Sequence, residues 1–306
     1  MKKLNLNEVQ FPFFLVWEIT NKCNSKCIHC YNNSGLPRKQ ELSRESIAKV
    51  CDEIISNKVL RVDVIGGEPL ISEHFDYITD RLKNFVSLTL ITNGICLKNT
   101  KILRNYSQIQ VSLDGLSADY SAARGVNKFP AVKSNLKKLI AIKGPEIIAS
   151  ITLTKLNLSK ISKIIEFCIE NKIKHIKLSE FIPLGRGYSQ KQRLEPDAKE
   201  YAKIKALIKK YSGKCRFEWE SVPKLNSNSQ IMPINKNWLC ISSEGEIMPD
   251  PFIPLSIGNV KDISIEKAWN AGKNSKRLTF STILNNEEKD KILSFNKLLR
   301  CDLFTK

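Results

Sequence analysis

Residues 14–30 read FLVWEITNKCNSKCIHC, and this stretch decides the fold. Its first half is a short apolar run that ends in polar residues, which is typical of a β-strand. Its second half places Cys23, Cys27 and Cys30 directly after that strand, with C-x3-C-x2-C spacing. Three thiolates this close on one loop can hold one metal centre. The stretch therefore predicts a first strand whose end positions a metal site.

Outward from this stretch, strands and helices alternate about six times. Strands are predicted over 14–20, 61–65, 87–92, 108–113, 146–153 and 175–181, and helices over 43–57, 74–85, 98–105, 130–142 and 158–171. This order predicts a parallel sheet with helices outside it, either open or closed into a barrel.

After Pro183 the rhythm changes. One lysine-rich helix is predicted over 195–211, a strand over 216–221, a Ser/Asn-rich loop over 226–230, strand-like pieces within 238–248, and helices over 263–271 and 285–299.

Composition narrows the class of protein. The 306 residues are 42% hydrophobic and 26% charged, an ordinary globular balance that excludes collagen-like, low-complexity and disordered chains.

Nine cysteines are an odd number, so a fully paired disulfide framework is excluded and a reducing compartment is expected. No apolar run approaches the roughly 18 residues that span a bilayer, and the N-terminus lacks a cleavage site. We therefore expect a cytoplasmic protein without a membrane partner.

The net charge of +18 favours acidic partners, such as an acidic peptide or a phosphorylated cofactor. The lysines are spread along the whole chain, however, and no basic patch with interleaved aromatic residues accompanies them. We therefore expect no nucleic-acid partner.

The three clustered cysteines favour iron over zinc. Zinc sites usually have four ligands, and only His29 lies close enough in sequence to be a fourth. Clusters with four irons are normally held by four cysteines, so three cysteines leave one iron with an open position for a small molecule. Zinc with a distant fourth ligand, or a chance spacing, is the alternative.

Polar or glycine-rich motifs follow the other strands. They are Gly66-Gly67-Glu68-Pro69, Thr92-Asn93-Gly94, Ser112-Leu113-Asp114-Gly115 and Pro183-Leu184-Gly185-Arg186-Gly187. The C-terminal ends of barrel strands are where sites are built. Arg124, ten residues past Asp114, is suited to grip a carboxylate with two N–H groups. Each motif alone is weak, but their order predicts one composite site.

These residues resemble a known family. CNSKCIHC is similar to the C-x3-C-x2-C motif of radical S-adenosylmethionine (SAM) enzymes, with His29 where an aromatic residue often lies. GGEP resembles their glycine-rich SAM motif, and ITNG, SLDG and the spacing to Arg124 resemble their ribose and carboxylate contacts. The resemblance covers roughly residues 12–190.

The resemblance implies an α/β fold, a partial (β/α)6 TIM-like barrel. It also implies a [4Fe-4S] cluster on Cys23, Cys27 and Cys30, with SAM chelating the open iron. One-electron reduction then cleaves SAM to methionine and a 5′-deoxyadenosyl radical, which abstracts a substrate hydrogen.

The resemblance also implies which residues contact SAM. They are Gly66, Gly67 and Glu68 at the methionyl amine and its approach, Asn93 and Ser112 at the ribose or carboxylate, Arg124 at the carboxylate, Phe181 and Ile182 beside adenine, and Pro69 and Asp114 as further members of these motifs. Epimerisation would need a terminal hydrogen donor. Cys96, just past Gly94, is the barrel cysteine placed for that catalytic role, and a packed loop residue is the alternative.

The opening FPFFLVWEITNKCNSKCIHCY, together with SLDG, FIPLGRG and the later SSEGEIMPDPFIPLSIGNVKDISIEKAW, is similar to the SPASM/twitch subgroup, whose members carry a C-terminal extension. This predicts a core barrel over residues 1–190, a linker helix over 191–212, and a small α+β extension over 213–306. The sequence departs from the subgroup at Asp250, where a cysteine is usual, and only Cys301 remains of the later cysteine run. We expect no full set of auxiliary clusters, and one degenerate cluster is the alternative.

The resemblance favours an enzyme that modifies a ribosomally made peptide, with a flavodoxin- or ferredoxin-type protein as one-electron reductant. No peptide-recognition domain fits before the first strand, so we expect a separate leader-binding protein. One alternative is a radical SAM step in the biosynthesis of a tetrapyrrole, another cofactor or a small metabolite. A non-catalytic iron–sulfur or zinc protein is the alternative from another class.

Overall fold

The structure is a computed structural model that describes residues 11–221, 237–253, 255–274 and 299–300. Six parallel strands lie side by side in chain order: β1 Phe14–Glu18, β2 Arg61–Ile65, β3 Ser87–Thr92, β4 Gln108–Ser112, β5 Glu146–Leu153 and β6 His175–Glu180. The predicted alternation of strands and helices is confirmed, and each strand lies within a residue or two of its predicted bounds.

Helices follow these strands. They are α1 Arg44–Ser56, α2 Phe75–Leu82, α3 Thr100–Leu103, α4 Ala118–Arg124, α5 Phe129–Ile140, α6 Ile161–Glu170, α7 Arg186–Ser189, α8 Lys191–Leu194, α9 Ala198–Lys209 and α10 Ile265–Asn274. Local sequence explains their starts. Ser43 caps α1 by accepting from the Ser46 amide, and Asp197 and Glu200 form a capping box at α9.

The sheet is longer than the six predicted strands. Strand β7, Arg216–Glu220, pairs in parallel with β6, and β8, Trp238–Ile241, pairs in parallel with β1. Strands β9, Glu246–Met248, and β11, Gly258–Asn259, continue in antiparallel beyond β8, which makes ten strands in all. A separate parallel pair joins β10, Leu255–Ser256, to β12, Leu299–Arg300. Part of the predicted extension thus continues the barrel sheet.

Some details differ from the prediction. Helix α4 was not predicted because its seven residues are too few to show a hydrophobic period. The long helix predicted over 195–211 is α9, and two short helices, α7 and α8, precede it. The predicted loop over 226–230, most of the predicted helix over 285–299, and Cys301 lie outside the described residues.

The sheet curves into a partial barrel. Strands β2 and β6 are four strands apart, which would be about 19 Å in a flat sheet. Even so, the charge of Lys177 on β6 works to lower the pKa of Asp63 on β2, so the two side chains are closer together than a flat sheet would place them. The other face buries residues such as Leu15 and Trp17 of β1 beneath the helices. Within the described ranges, no helix combines the length and the apolar character that crossing a membrane requires.

Candidate metal and cofactor site

Residues 20–36, here called the cysteine loop, leave the C-terminal end of β1. Backbone hydrogen bonds tie this loop to the segments that follow three other strands. The Glu68 amide donates to the Lys22 carbonyl at 2.8 Å, the Lys26 amide to the Arg124 carbonyl at 3.0 Å, and the Arg186 amide to the Cys30 carbonyl at 2.9 Å. The loop is therefore fixed by the same strand ends that carry the predicted motifs.

Glycines allow this close approach. A Cβ atom on Gly67 would lie 2.3 Å from the Lys22 carbonyl oxygen, and one on Gly185 would lie 2.3 Å from that of Tyr31. Real Cβ atoms do not come that close, so a side chain at either position would push the loop away. Gly185 also has a φ of +54°, which favours glycine. The GGEP and PLGRG motifs thus clamp the cysteine loop from two sides.

Each of the three cysteine sulfurs has an N–H donor beside it. Arg124 Nη1 lies 3.4 Å from Cys27 Sγ, Asn93 Nδ2 lies 3.8 Å from Cys23 Sγ, and the Ser34 amide lies 3.4 Å from Cys30 Sγ. Hydrogen bonds to sulfur stabilise thiolates and tune the metal centres that they hold.

The pKa values of two cysteine thiols are raised in the protein without metal. Burial raises the pKa of Cys23 to about 11, and the neighbouring Cys27, Glu68 and Cys30 act in the same direction. Burial also raises the pKa of Cys30, with Cys27 adding to it. Thiols must lose their protons to bind metal, and a bound cation reverses these shifts.

These residues fit a cluster. Across residues 11–221, 237–253, 255–274 and 299–300, no group of three or more His, Cys, Asp or Glu side chains is arranged around a single ion. In a cluster of four irons, each cysteine binds its own iron, so the sulfurs need not converge on one point. Three free thiols with aligned donors are suited to that arrangement.

A buried charge network joins strand β4 to the cysteine loop. Asp114 lies just past the end of β4, and its Oδ2 is 2.6 Å from Arg124 Nη2 and 3.1 Å from His29 Nε2. Asp114 Oδ1 also accepts from the Thr152 amide at 2.8 Å. Burial acts to raise the pKa of Asp114, but Arg124 and then His29 lower it to about 2. The carboxylate is therefore charged at neutral pH.

Glu68 orders the loop that follows β2. Its carboxylate is fully buried and accepts from the Leu70 amide, the Thr92 hydroxyl and the Asn93 amide, at 3.1, 2.8 and 2.7 Å. Burial raises the pKa of Glu68 to about 7, although these hydrogen bonds oppose the shift. Glu68 thus connects the GGEP motif to the ITNG motif, while its predicted contact with SAM remains a prediction.

Asn93 and Cys96 lie at the edge of the cysteine loop. Asn93 Nδ2 donates to Asn24 Oδ1 at 2.7 Å, and Asn24 Nδ2 in turn lies 3.2 Å from Cys96 Sγ. The half-buried Cys96 is therefore held within this hydrogen-bond chain, three contacts away from Cys23. Its predicted role as a hydrogen donor remains a prediction.

The remaining predicted residues lie around the barrel mouth. Ser112 ends β4 and is half-buried, Pro69 begins the short turn after Glu68, and Gly66 packs on the Thr20 backbone. Phe181 and Ile182 follow β6. The Phe181 ring is buried against Gly187, and its amide donates to the Tyr201 hydroxyl at 3.0 Å.

The sequence analysis missed a third buried carboxylate beside the loop. Glu18 ends β1, and the Tyr31 hydroxyl donates to its Oε1 at 3.3 Å. Burial raises the pKa of Glu18 to about 7, although Arg38, Tyr31 and Asn32 oppose the shift. A charged residue at the end of an otherwise apolar strand was the available signal.

Asp250, the residue that departs from the subgroup pattern, belongs to the same side of the barrel. Burial raises its pKa, with Glu220 of β7 adding to the shift. The neighbouring Cys240 of β8 is completely buried and has a raised pKa, from burial first and then from Glu18 and Asp250.

Comparison with known proteins identifies the core of the chain. Residues 17–168, about half of the chain, match the radical SAM superfamily. The chain belongs to the radical SAM superfamily. The matched segment begins in β1 and includes the cysteine loop, the GGEP motif and the network at Asp114.

Curated relatives of this radical SAM chain include two maturation proteins. Mycofactocin maturase MftC of Mycobacterium tuberculosis is 28% identical over 202 residues, which are 63% of this chain and 51% of MftC. The sporulation killing factor maturation protein SkfB of Bacillus subtilis is 24% identical over 264 residues, which are 83% of this chain and 64% of SkfB. The chain thus spans about half the length of MftC.

Solved structures share the radical SAM fold. SuiB of Streptococcus suis, in a crystal structure bound to precursor peptide SuiA, gives a TM-score of 0.71 at 18% identity, over 97% of this chain and 73% of SuiB. At that identity the likeness concerns the fold. The predicted α/β class with a partial barrel is confirmed.

Proposed function

We propose that this protein is a radical SAM enzyme that modifies a ribosomally made peptide. The observation that carries the proposal is the cysteine loop itself. Cys23, Cys27 and Cys30 lie on a loop clamped by glycines, and each sulfur has an N–H donor directed at it. Cys23, Cys27 and Cys30 would hold a [4Fe-4S] cluster and leave one iron for SAM.

A cluster held by Cys23, Cys27 and Cys30, with SAM on its open iron, would supply one-electron cleavage of SAM and thereby a radical able to remove a substrate hydrogen. The chain's own residues position and shield this chemistry. Glu68 holds the two loops after β2 and β3 together, and Gly66, Gly67 and Asn93, which would contact SAM, lie on these two loops. Ser112, Asp114, Arg124, Phe181 and Ile182 lie on segments that border the same mouth.

The peptide substrate is supported by the relatives. MftC and SkfB are named as maturation proteins, and SuiB was solved with a precursor peptide. We assign residues 191–212 to a linker helix and residues 213–306 to a twitch-like extension, of which β7, β8 and β9 lengthen the barrel sheet. A flavodoxin- or ferredoxin-type reductant, a separate leader-binding protein and a cytoplasmic location complete the proposal.

The proposal is tested by SAM cleavage. Anaerobically reconstituted protein should form 5′-deoxyadenosine from SAM under dithionite, and the triple alanine variant of Cys23, Cys27 and Cys30 should form none. Cys51→Ala is the matched control, because Cys51 is completely buried in α1 and its loss should leave turnover intact. Turnover that survives in the triple variant refutes the proposal.

The substrate is tested separately. A short precursor peptide encoded beside this protein, co-expressed with it and analysed by mass spectrometry, should change mass only with the wild-type cysteine loop. An unchanged peptide together with normal SAM cleavage would instead favour a small-molecule substrate.

A further inference from the structure

We infer that Arg124 is a positioning residue for the metal centre: its guanidinium donates to the Cys27 sulfur and makes the cluster easier to reduce. The inference rests on the proposed function, because it concerns the same cluster. It adds a role to the contact with the SAM carboxylate that the sequence predicts for Arg124.

Arg124 is attached to the cysteine loop through both its backbone and its side chain. Its backbone carbonyl accepts from the Lys26 amide at 3.0 Å and from the Ser25 hydroxyl at 3.1 Å. Its side chain returns to the same loop, where Nη1 lies 3.4 Å from Cys27 Sγ. Arg124 is the last residue of α4, and the left-handed Gly125 that follows packs against the Lys26 carbonyl.

Asp114 holds the guanidinium in place. The Asp114 carboxylate lies 2.6 Å from Arg124 Nη2 and is itself anchored by His29 and the Thr152 amide. Both partners are buried, with Asp114 only 1% exposed. A guanidinium is not deprotonated in proteins, and the Asp114 carboxylate compensates its charge at this buried position. The positive charge is therefore permanent.

A fixed positive charge beside a cluster ligand favours the more negative, reduced state. Charge-assisted hydrogen bonds are stronger than neutral ones, and hydrogen bonds to cluster sulfurs are among the factors that set reduction potentials. Since the guanidinium is already in position, no reorganisation is needed when the electron arrives.

One of the three guanidinium nitrogens of Arg124 is without a partner among the described residues. Arg124 Nε is buried and has no hydrogen-bond partner among the described residues. A buried donor without a partner is costly, so an acceptor from outside the chain fits here. The SAM carboxylate that the sequence predicts at Arg124 would be such an acceptor.

The test is the midpoint potential of the reconstituted protein, measured by spectroscopic redox titration together with iron and sulfide content. Arg124→Gln should retain iron but bind the electron about tenfold more weakly, which lowers the midpoint potential by about 59 mV for a one-electron couple. Arg124→Lys should recover part of the lost midpoint potential, because lysine keeps the charge but lacks the planar guanidinium that contacts Cys27 and Asp114 at once. Arg81→Gln, on the exposed face of α2, is the control and should leave the potential unchanged.

The outcomes separate the two proposals. Wild-type protein that assembles no cluster would refute the proposed function. Wild-type protein with a cluster, and an Arg124→Gln variant with full iron content and an unchanged potential, would overturn only the inference about Arg124. If Arg124→Gln loses its iron, Arg124→Lys decides: a lowered potential supports the inference, and a wild-type potential overturns it.

Discussion

Two sides of the barrel mouth contact the cysteine loop next to Cys30, and each carries a buried carboxylate. We call the side with Asp114 the β4 wall and the side with Glu18 the β1 wall; the two carboxyl groups have opposite pKa shifts. His29 contacts Asp114 on the β4 wall, and Tyr31 contacts Glu18 on the β1 wall. Both carboxylates are almost completely buried. Asp114 has a pKa of about 2, whereas Glu18 has a pKa of about 7.

The difference lies in the partners. Asp114 has a guanidinium at 2.6 Å and two further donors, so its charge is compensated. Glu18 has the Tyr31 hydroxyl at 3.3 Å, and no salt bridge within 4.0 Å is found for it among the described residues. Burial alone therefore does not decide the charge of a carboxyl group; the nearest cation does. Asp114 on the β4 wall therefore stays charged at neutral pH, whereas Glu18 on the β1 wall exchanges its proton near pH 7.

The largest effect is expected from Asp114→Asn. The change leaves the Arg124 charge buried without its partner, which typically costs about 3–5 kcal/mol in the free energy of unfolding. The difference from wild type should shrink as pH falls from about 4 towards 2, because Asp114 itself becomes protonated there. Urea-induced unfolding across pH measures it. An equally stable variant at pH 7 would show that the ion pair does not hold this wall.

The matched change on the opposite wall, Glu18→Gln, should have the opposite sign. A raised pKa makes the folded protein lose stability as pH rises from about 4.5 to 7, by up to about 3 kcal/mol at 1.36 kcal/mol per pKa unit. The Gln variant lacks this loss, so its unfolding free energy relative to wild type should grow over that range and level off above pH 7. A difference that does not change with pH would contradict the assignment.

Gly185→Ala should disturb both walls at once, because the new Cβ would press on the backbone of Cys30 and Tyr31. Overpacking of this kind costs about 1–3 kcal/mol. We also expect reconstituted iron to fall. Gly213→Ala is the control, since a Cβ there meets nothing within 4 Å. If both variants behave alike in thermal unfolding and iron content, the glycine clamp is not what fixes the loop.

The smallest effect is expected from Tyr31→Phe. Loss of one hydrogen bond to Glu18 should cost about 1 kcal/mol and should raise the pKa of Glu18 further, since the hydroxyl favours the charged form. The midpoint of the pH-dependent stability change should move to higher pH. A midpoint at or below the wild-type value would show that Tyr31 does not act on Glu18.

The sequence predicted one wall better than the other. SLDG and Arg124 form recognisable motifs, so the residues of the β4 wall were named, although their pairing with each other depends on the three-dimensional course of α4. Glu18 and Tyr31 lie within the opening stretch but were given no role from the sequence, and their contact depends on how the cysteine loop folds back on β1. The pairing of β8 with β1 joins residues more than 200 positions apart, and local patterns carry no signal for it.

The most direct test of the account is electron paramagnetic resonance of the reconstituted, dithionite-reduced protein with and without SAM. The account predicts one cluster signal per chain whose line shape changes when SAM is added, because SAM occupies the iron that Cys23, Cys27 and Cys30 leave open. A cluster signal that SAM leaves unchanged, or one that persists in the triple alanine variant, would contradict it.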